Sequence, residues 1–326
     1  MKRIKKNSST PVGYDLDQGV TQSMLCNFIK CRRAAALALN RWGSPAPRRA
    51  TQFGSLFHEL LQEHYRGAGK KLPPSPELTF KNVAQSWERK ALEAGDKTED
   101  IQGDLACAKA LFPSYVDRWR KNDEKKRWVE VEQVFDFMFR HGHKRFQQRI
   151  RGKIDGIYEA KDGTIWILET KTASQINEET LSLALTFDFQ CQFYVVAVEE
   201  KLQRKVSGIL YNIIRKPSIG RGADKTSDAY VQLIKNDIAS RPDFYFTRFE
   251  LAFSSKQMAR FRDELSLKLQ DFQNWWLGDL PTYRNEFACQ AKWNCEYLPV
   301  CACGGDPKQA GFKQSKTLFS ELLEDA

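Results

Sequence analysis

The stretch that decides the fold is Arg151–Ser174, RGKIDGIYEAKDGTIWILETKTAS. Two runs with strand character, 151–160 and 164–172, flank Asp162-Gly163, a pair that favours hairpin turns. The loop length decides which acidic side chains meet. A two-residue turn at Asp162-Gly163 pairs Ala160 with Ile165, sets Asp155 opposite Thr170 and sends Glu169 to the other side of the sheet. A three-residue loop, Lys161-Asp162-Gly163 with Gly163 left-handed, instead pairs Ala160 with Thr164 and sets Asp155 opposite Glu169. Lys171 then falls on the same face, because side chains alternate along a strand. The second arrangement is the one expected, since Asp-Gly supplies the chemistry that turn needs.

Two carboxylates and an amine would thus converge among Ile154, Ile157, Ile165, Trp166, Ile167 and Leu168. Paired carboxylates in apolar surroundings repel, and burying them is costly unless a cation neutralises them. Mg²⁺ or Mn²⁺ suits two carboxylates, waters and a phosphate oxygen. Such an ion can lower the pKa of a water and stabilise charge developing on a phosphate, with Lys171 holding that water. The plain alternative is an exposed hairpin carrying an ordinary Glu–Lys ladder.

Outward from the hairpin, the periodicity predicts helices at about 21–40, from Thr51 as N-cap, at 77–94 and at 102–121. Strands follow at about 128–139, 145–160 and 164–172, then a helix at 178–198 and a strand at 206–214. A helix at 228–240, a strand at 243–252 and a long helix at 255–277 complete the pattern, with a short helix near 316–324. These types predict an α/β (α+β mixed) fold: a central mixed sheet flanked by helices, behind a helical N-terminal part. The expected organisation is a flexible basic arm (1–20), a helical part (21–125), a mixed core (126–278), a cysteine segment (279–305) and a polar tail (306–326).

Composition narrows the function classes. Hydrophobic residues at 41% and charged residues at 28% fit a globular protein, and no run of eighteen consecutive apolar residues suggests a membrane span. The opening MKRIKKNSSTP lacks the apolar segment of a secretion signal, so a cytoplasmic protein without membrane contact is expected. The net charge of +10 favours a polyanionic partner. Basic residues gather before His58 (Arg32, Arg33, Arg48, Arg49), before Asp155 (Arg149, Arg151, Lys153) and in the loop 215–225 (Arg215, Lys216, Arg221, Lys225). Trp42 and Tyr65 are candidates to stack on bases. Eight cysteines without an export signal argue for a metal site over a disulfide framework.

Two further motifs carry a family resemblance. Gly54-Ser55-Leu56-Phe57-His58 lies on the second predicted helix, and Gln190-Cys191-Gln192-Phe193-Tyr194 on the helix after Glu169-Thr170-Lys171. With Asp155, this order resembles the PD-(D/E)XK nucleases, and within them the RecB-type exonuclease branch, over about residues 20–303. The resemblance implies a restriction-endonuclease-like core and metal-dependent hydrolysis of DNA in repair, recombination or end processing. It implies metal binding by His58, Asp155, Glu169 and Thr170, and catalytic roles for Asp155, Glu169, Lys171, Gln190 and Tyr194. Gln190 would orient Lys171 or the water, and Tyr194 would contact DNA or support the site. DNA ends or single strands are the implied substrate, with a helicase or recombinase as a potential partner.

Some members of that branch hold a 4Fe–4S cluster on one early and three late cysteines. Cys31, Cys289, Cys295 and Cys301 match those places, while Cys26 competes with Cys31 and Cys303 with Cys301. The late spacing, C-x5-C-x5-C, departs from the tighter pairs of some relatives. Zn²⁺ is the alternative occupant, although the C-x2-C knuckles of structural zinc are absent. Cys107 and Cys191 read as core residues. Against the exonuclease stand a catalytically inactive DNA-binding module and a metal scaffold for a protein partner. The presence of Asp155, Glu169, Lys171, His58 and Gln190 together favours the enzyme.

Overall fold

The computed structural model describes residues 14–43, 49–68, 74–142, 146–173, 178–220, 227–290, 295–315, 318 and 322. After a 3-10 turn (Leu16–Gln18) come β1 (Val20–Thr21), α1 (Gln22–Lys30), α2 (Arg32–Leu39), β2 (Trp42–Gly43), α3 (Arg49–Gly67), α4 (Pro76–Glu93) and α5 (Thr98–Asp123). Then follow β3 (Arg127–Arg140), β4 (Gln147–Glu159), β5 (Ile165–Ala173), α6 (Glu178–Leu185), α7 (Phe189–Leu202), β6 (Val206–Arg215) and α8 (Ser227–Ser240). The rest comprises α9 (Pro242–Tyr245), β7 (Phe246–Leu251), α10 (Ser255–Leu277), α11 (Glu286–Cys289), α12 (Leu298–Ala302) and β8 (Lys313–Gln314). The central sheet runs β1-β4-β5-β6-β7, with β3 also on β4. It is mixed: β1 is parallel to β4 and β5 to β6, whereas β4–β5 and β6–β7 are antiparallel. This is the expected mixed sheet flanked by helices.

The chain divides into two units, Met1–Pro47, Val134–Lys153 and Ser254–Ala326 in one, Arg48–Gln133 and Ile154–Phe253 in the other. The second unit holds the hairpin. Its core packs Phe53, Leu56, Phe57 and Leu60 of α3 with Ala108, Leu111, Phe112 and Tyr115 of α5 and with Leu168, Leu210 and Ile214 of the sheet. The apolar stretch Thr180–Leu202 is long enough to pass for a membrane span, but half of it is buried within the protein. It is not one helix either: Thr186–Asp188 form a turn, and the Asp188 side chain caps α7 by accepting from the Cys191 N–H. The predicted single helix 178–198 is thereby corrected, because an Asp cap restarts the helix and sets the register of Gln190.

In the first unit, Tyr14 packs edge-on to Trp276 with centroids 4.8 Å apart, and Phe28 packs against Phe272 and Trp275. Here the predicted helix 21–40 breaks at Cys31, a single extended residue (φ −164°, ψ 115°) that ends α1 and opens α2. Two other expectations shift. The helix carrying His58 begins at Arg49, ahead of Thr51, and the strand expected from 243 begins at Phe246 because Pro242–Tyr245 form a helical turn. Most of the short helix expected near 316–324 lies outside the described residues.

Candidate active site

The hairpin adopts the three-residue loop. Gly163 has φ +81°, and its N–H donates to the Ala160 carbonyl at 2.9 Å. The Ala160 N–H donates to the Thr164 carbonyl, also at 2.9 Å. The register runs from Glu159–Ile165 to Gly156–Leu168, so one step further Asp155 meets Glu169. At that step a side chain intervenes: the Thr170 N–H donates to Asp155 Oδ2 at 2.7 Å. The carboxylate of β4 is thus anchored to the backbone of β5 between Glu169 and Lys171.

Helix α3 brings His58 to the same place, and Gly54 explains how. A Cβ at position 54 would lie 3.1 Å from Thr172 Oγ1, so the missing side chain lets α3 approach β5 closely. One turn later His58 Nδ1 lies 3.5 Å from Asp155 Oδ1 and 3.8 Å from Glu132 Oε1. Potential ligand atoms of His58, Glu132 and Asp155 all fall within 4.8 Å of one another. Glu132 is the residue that sequence reasoning missed. It sits inside β3 with φ +52°, a left-handed kink that alternation along 128–139 cannot anticipate. The available signal was a second glutamate, at the alternate position from Glu130, in a strand otherwise rich in Trp, Val and Phe.

The electrostatics suit a cation-binding site. Burial works against a charged His58, but Asp155 and then Glu132 override it and push its pKa up to about 10. Burial likewise opposes an ionised Asp155, yet His58 and Lys171 hold its pKa below the usual carboxylate value. Glu169 goes the other way: burial first, then the Asp155 charge, raise it to about 7 despite Lys171. Glu169 is 2% exposed, and while its Oε1 pairs with Lys171 Nζ at 2.5 Å, its Oε2 is buried without a partner. An orphaned carboxylate oxygen costs about 1–3 kcal/mol or more, a cost a divalent ion would relieve, although Glu169 lies outside the set of donor atoms that fall within 4.8 Å of one another. A mixed imidazole and carboxylate set suits Mn²⁺ or Mg²⁺.

Lys171 is held at its other side by α7. Its Nζ donates to Gln190 Oε1 at 2.9 Å, and Gln190 Nε2 donates to Tyr194 Oη at 2.9 Å. Gln190 and Tyr194 therefore share one helical face, as their spacing requires. Tyr194 is buried, so of its two expected roles the geometry serves support of Gln190. The Thr170 side chain is also buried and its Oγ1 accepts from Asn212 Nδ2 at 3.2 Å, which leaves only its carbonyl as a metal donor.

Several expected nucleic-acid contacts are engaged inside the protein. Tyr65 is buried, bonded to Tyr115 Oη at 2.8 Å and Asp123 Oδ2 at 3.0 Å, and packed on Trp128, so it is not a base platform. Arg215 donates to the Phe244 carbonyl and lies over the Phe244 ring, and Lys216 pairs with Asp104 at 2.5 Å. Arg149 and Arg151 both grip Asp136. Trp42 is half-buried. Arg48, Arg221 and Lys225 lie outside the described residues.

The first unit gathers the four selected cysteines. Cys31 stands at the α1–α2 break, Cys289 ends α11, Cys295 precedes a turn and Cys301 lies in α12. Burial, then Cys31 and Cys301, raise the Cys289 thiol pKa; burial chiefly raises that of Cys295, with Cys289 and Cys31 contributing. Cys289 thus lies within electrostatic reach of Cys31 and Cys301, and Cys295 within reach of Cys289 and Cys31. Cys26 instead accepts from Gln22 Nε2 at 3.2 Å, and Cys303 is exposed. Cys107 and Cys191 are buried.

Known proteins bear out this frame. Residues 20–302 match the PD-(D/E)XK nuclease superfamily. No curated protein matches significantly. A candidate exonuclease from Eubacterium rectale is similar in structure at 10% identity, covering 96% of this chain and 97% of its own, with a TM-score of 0.50. A phage-related exonuclease from Haemophilus somnus 129PT aligns at 12% identity over 73% of this chain and 98% of its own, with a TM-score of 0.32. At 10% identity the first of these likenesses speaks for the fold alone. The match over most of the chain, on the fold and acidic hairpin described above, decides the family: the protein belongs to the PD-(D/E)XK nuclease superfamily.

Proposed function

We propose that this chain is a divalent-metal-dependent DNA exonuclease that hydrolyses phosphodiester bonds at DNA ends, in repair, recombination or end processing. The observation that carries this reading is the convergence of His58, Glu132 and Asp155 beside Glu169, whose Oε2 lacks a partner. These four residues would hold Mg²⁺ or Mn²⁺, with the Thr170 carbonyl as a further donor. When bound, the cation supplies Lewis-acid stabilisation of the phosphate and activates a water. The Lys171 ammonium, steadied by Gln190, holds the attacking water and offsets charge gathering on the phosphate oxygens. Thr170 fixes Asp155 through its N–H, so the acid keeps its place before any ion arrives.

A second cofactor belongs to the same reading. Cys31, Cys289, Cys295 and Cys301 would hold a 4Fe–4S cluster, soft thiolates being suited to iron–sulfur chemistry. The influence of Cys31 and Cys301 on Cys289, and of Cys289 and Cys31 on Cys295, supports this set over Cys26 or Cys303. The cluster would join segments some 260 residues apart in the chain, and so act as a staple.

The test is cleavage of end-labelled single- and double-stranded DNA with Mn²⁺, Mg²⁺ or EDTA. Products shortening progressively from an end, with metal only, are expected. Absence of cleavage under any metal condition would return the chain to a binding role.

A further inference from the structure

Away from the acidic hairpin, the first unit contains a cavity of about 490 Å³ lined by Arg33, Thr282, Tyr283, Arg284, Glu286 and Cys301, with Gly304 and Gly305. We infer that this cavity is a strand-binding site: Arg33 and Arg284 take a backbone phosphate of single-stranded DNA, and Tyr283 and Phe287 receive its bases. The inference deepens the nuclease reading by naming how the substrate strand is gripped, and it rests on that reading only for the choice of DNA.

The charges make the case first. Arg33 is half-buried, yet among the described residues no acceptor receives its guanidinium, and the same holds for exposed Arg284. A guanidinium offers five N–H donors in a planar fork that matches phosphate oxygens, and here both forks stay open to an incoming anion. Arg33 is also the second residue of α2, where the helix dipole disfavours a cation and favours an anion. Space is kept for it. Gly305 has φ +95°, and a Cβ there would sit 2.3 Å from Arg33 Nη2, so a side chain at 305 would displace the guanidinium. Glu286 is the one acidic side chain on the wall, set against two arginines.

The aromatic residues give the ligand its kind. Tyr283 is 53% exposed with Arg32 over its ring at 4.8 Å, and Phe287 is 91% exposed. An almost fully solvated phenylalanine contributes little to the fold, whereas an unpaired base has a π-face to lay on it. Phosphate-binding arginines interleaved with open aromatic rings suit a single strand better than a duplex, whose bases are stacked away.

The alternative is that the arginines merely neutralise the nearby thiolates; Arg284 does lower the pKa of Cys289. Binding can separate the two. Fluorescence anisotropy of a labelled oligothymidylate is measured in EDTA, so that nothing is cut, on full-length wild type, Arg33→Gln, Arg284→Gln, Glu286→Gln and Phe287→Ala. Each arginine variant should bind about fivefold more weakly near 0.1 M salt and flatten the log–log salt slope by about 0.7. Glu286→Gln should bind more tightly, and Phe287→Ala more weakly with the slope unchanged. Arginine variants that bind like wild type would overturn the inference. So would arginine variants that lose visible absorption together with binding while Glu286→Gln fails to tighten it, since the arginines would then be counter-ions of the cluster. Displacement of the oligonucleotide by inorganic phosphate at equal phosphate concentration would reassign the cavity to a free anion. Wild type that binds the oligonucleotide but never cuts DNA sinks the nuclease reading and leaves this one standing.

Discussion

The Thr170 N–H donates to Asp155 Oδ2 across 2.7 Å, so a backbone amide of β5 holds the acidic side chain of β4. This bond ties the two strands where the hairpin's charged groups meet. It is set by the loop at Gly163: one residue less in that loop would send Glu169 to the face of the sheet opposite Asp155. Asp155→Ala is therefore expected to cut DNA at least about a thousandfold more slowly, while circular dichroism stays near wild type. Unchanged cleavage by this variant would remove Asp155 from the chemistry.

Glu169 links function with stability. Its folded pKa of about 7 stands above the ordinary 4.5, so the folded protein binds the extra proton and loses stability as pH rises through that range. A neutral Glu169→Gln should accordingly be more stable than wild type in EDTA at pH 8, by about 1–3 kcal/mol, and inactive with metal. Denaturant melts at pH 5 and pH 8 check this, the gain being expected only at the higher pH. A destabilised variant at pH 8 would mean that Lys171 compensates the carboxylate fully without an ion.

Metal binding should release protons. His58, raised to about 10, must lose its proton to donate to a cation, and Glu169, near 7, must be ionised. Apparent Mn²⁺ affinity is expected to climb with pH between about 7 and 10, with proton uptake by buffer visible when calorimetry is repeated in buffers of different ionisation enthalpy. In metal-free protein the His58 contribution to stability has the opposite slope: full below the ordinary 6.5 and lost as pH rises through about 10. An affinity independent of pH would exclude His58 as a ligand.

Behind β5, Asn212 Nδ2 donates to both Thr170 Oγ1 and Tyr115 Oη, and Arg248 joins Asn212, Tyr65, Tyr115 and Asp123. Arg248→Met should destabilise the fold by about 3–5 kcal/mol, since it strands a buried Asp123, and adding Asp123→Asn should recover part of the loss. Burial opposes ionisation of Asp123, but Arg248 holds its pKa below the usual value. Its stabilisation is thus present above the ordinary carboxylate pKa and lost as pH falls through the lower, folded one. Additive losses in a double-mutant cycle would contradict the coupling.

Anaerobically purified protein should be brown, with broad absorption near about 400 nm. Serine at Cys31, Cys289, Cys295 or Cys301 should remove the colour, whereas Cys26→Ser and Cys303→Ser should keep it. Colourless wild type with stoichiometric zinc would replace the cluster by a zinc site.

Much of this was legible in the chain because local rules agreed with one another. Asp162-Gly163 set the hairpin register, and the helical period placed His58, Gln190 and Tyr194 on usable faces. What escaped depends on tertiary context. Glu132 reaches the site through a left-handed residue inside a strand, which alternation does not encode. Tyr65, Arg215 and Lys216 look like surface nucleic-acid contacts in sequence, but buried acids, carbonyls and rings elsewhere in the chain claim them. Asp188 could have been recognised as a cap, yet the apolar run around it masked the break between α6 and α7.

The central claim is that residues from α3, β3, β4 and β5 share one divalent ion. Anomalous diffraction at the manganese edge, on crystals soaked in Mn²⁺, tests it most directly. The account predicts a single strong peak between His58, Glu132, Asp155 and Glu169, about 2.0–2.4 Å from their donor atoms. A peak bound by other residues, or none here at saturating Mn²⁺, would contradict it.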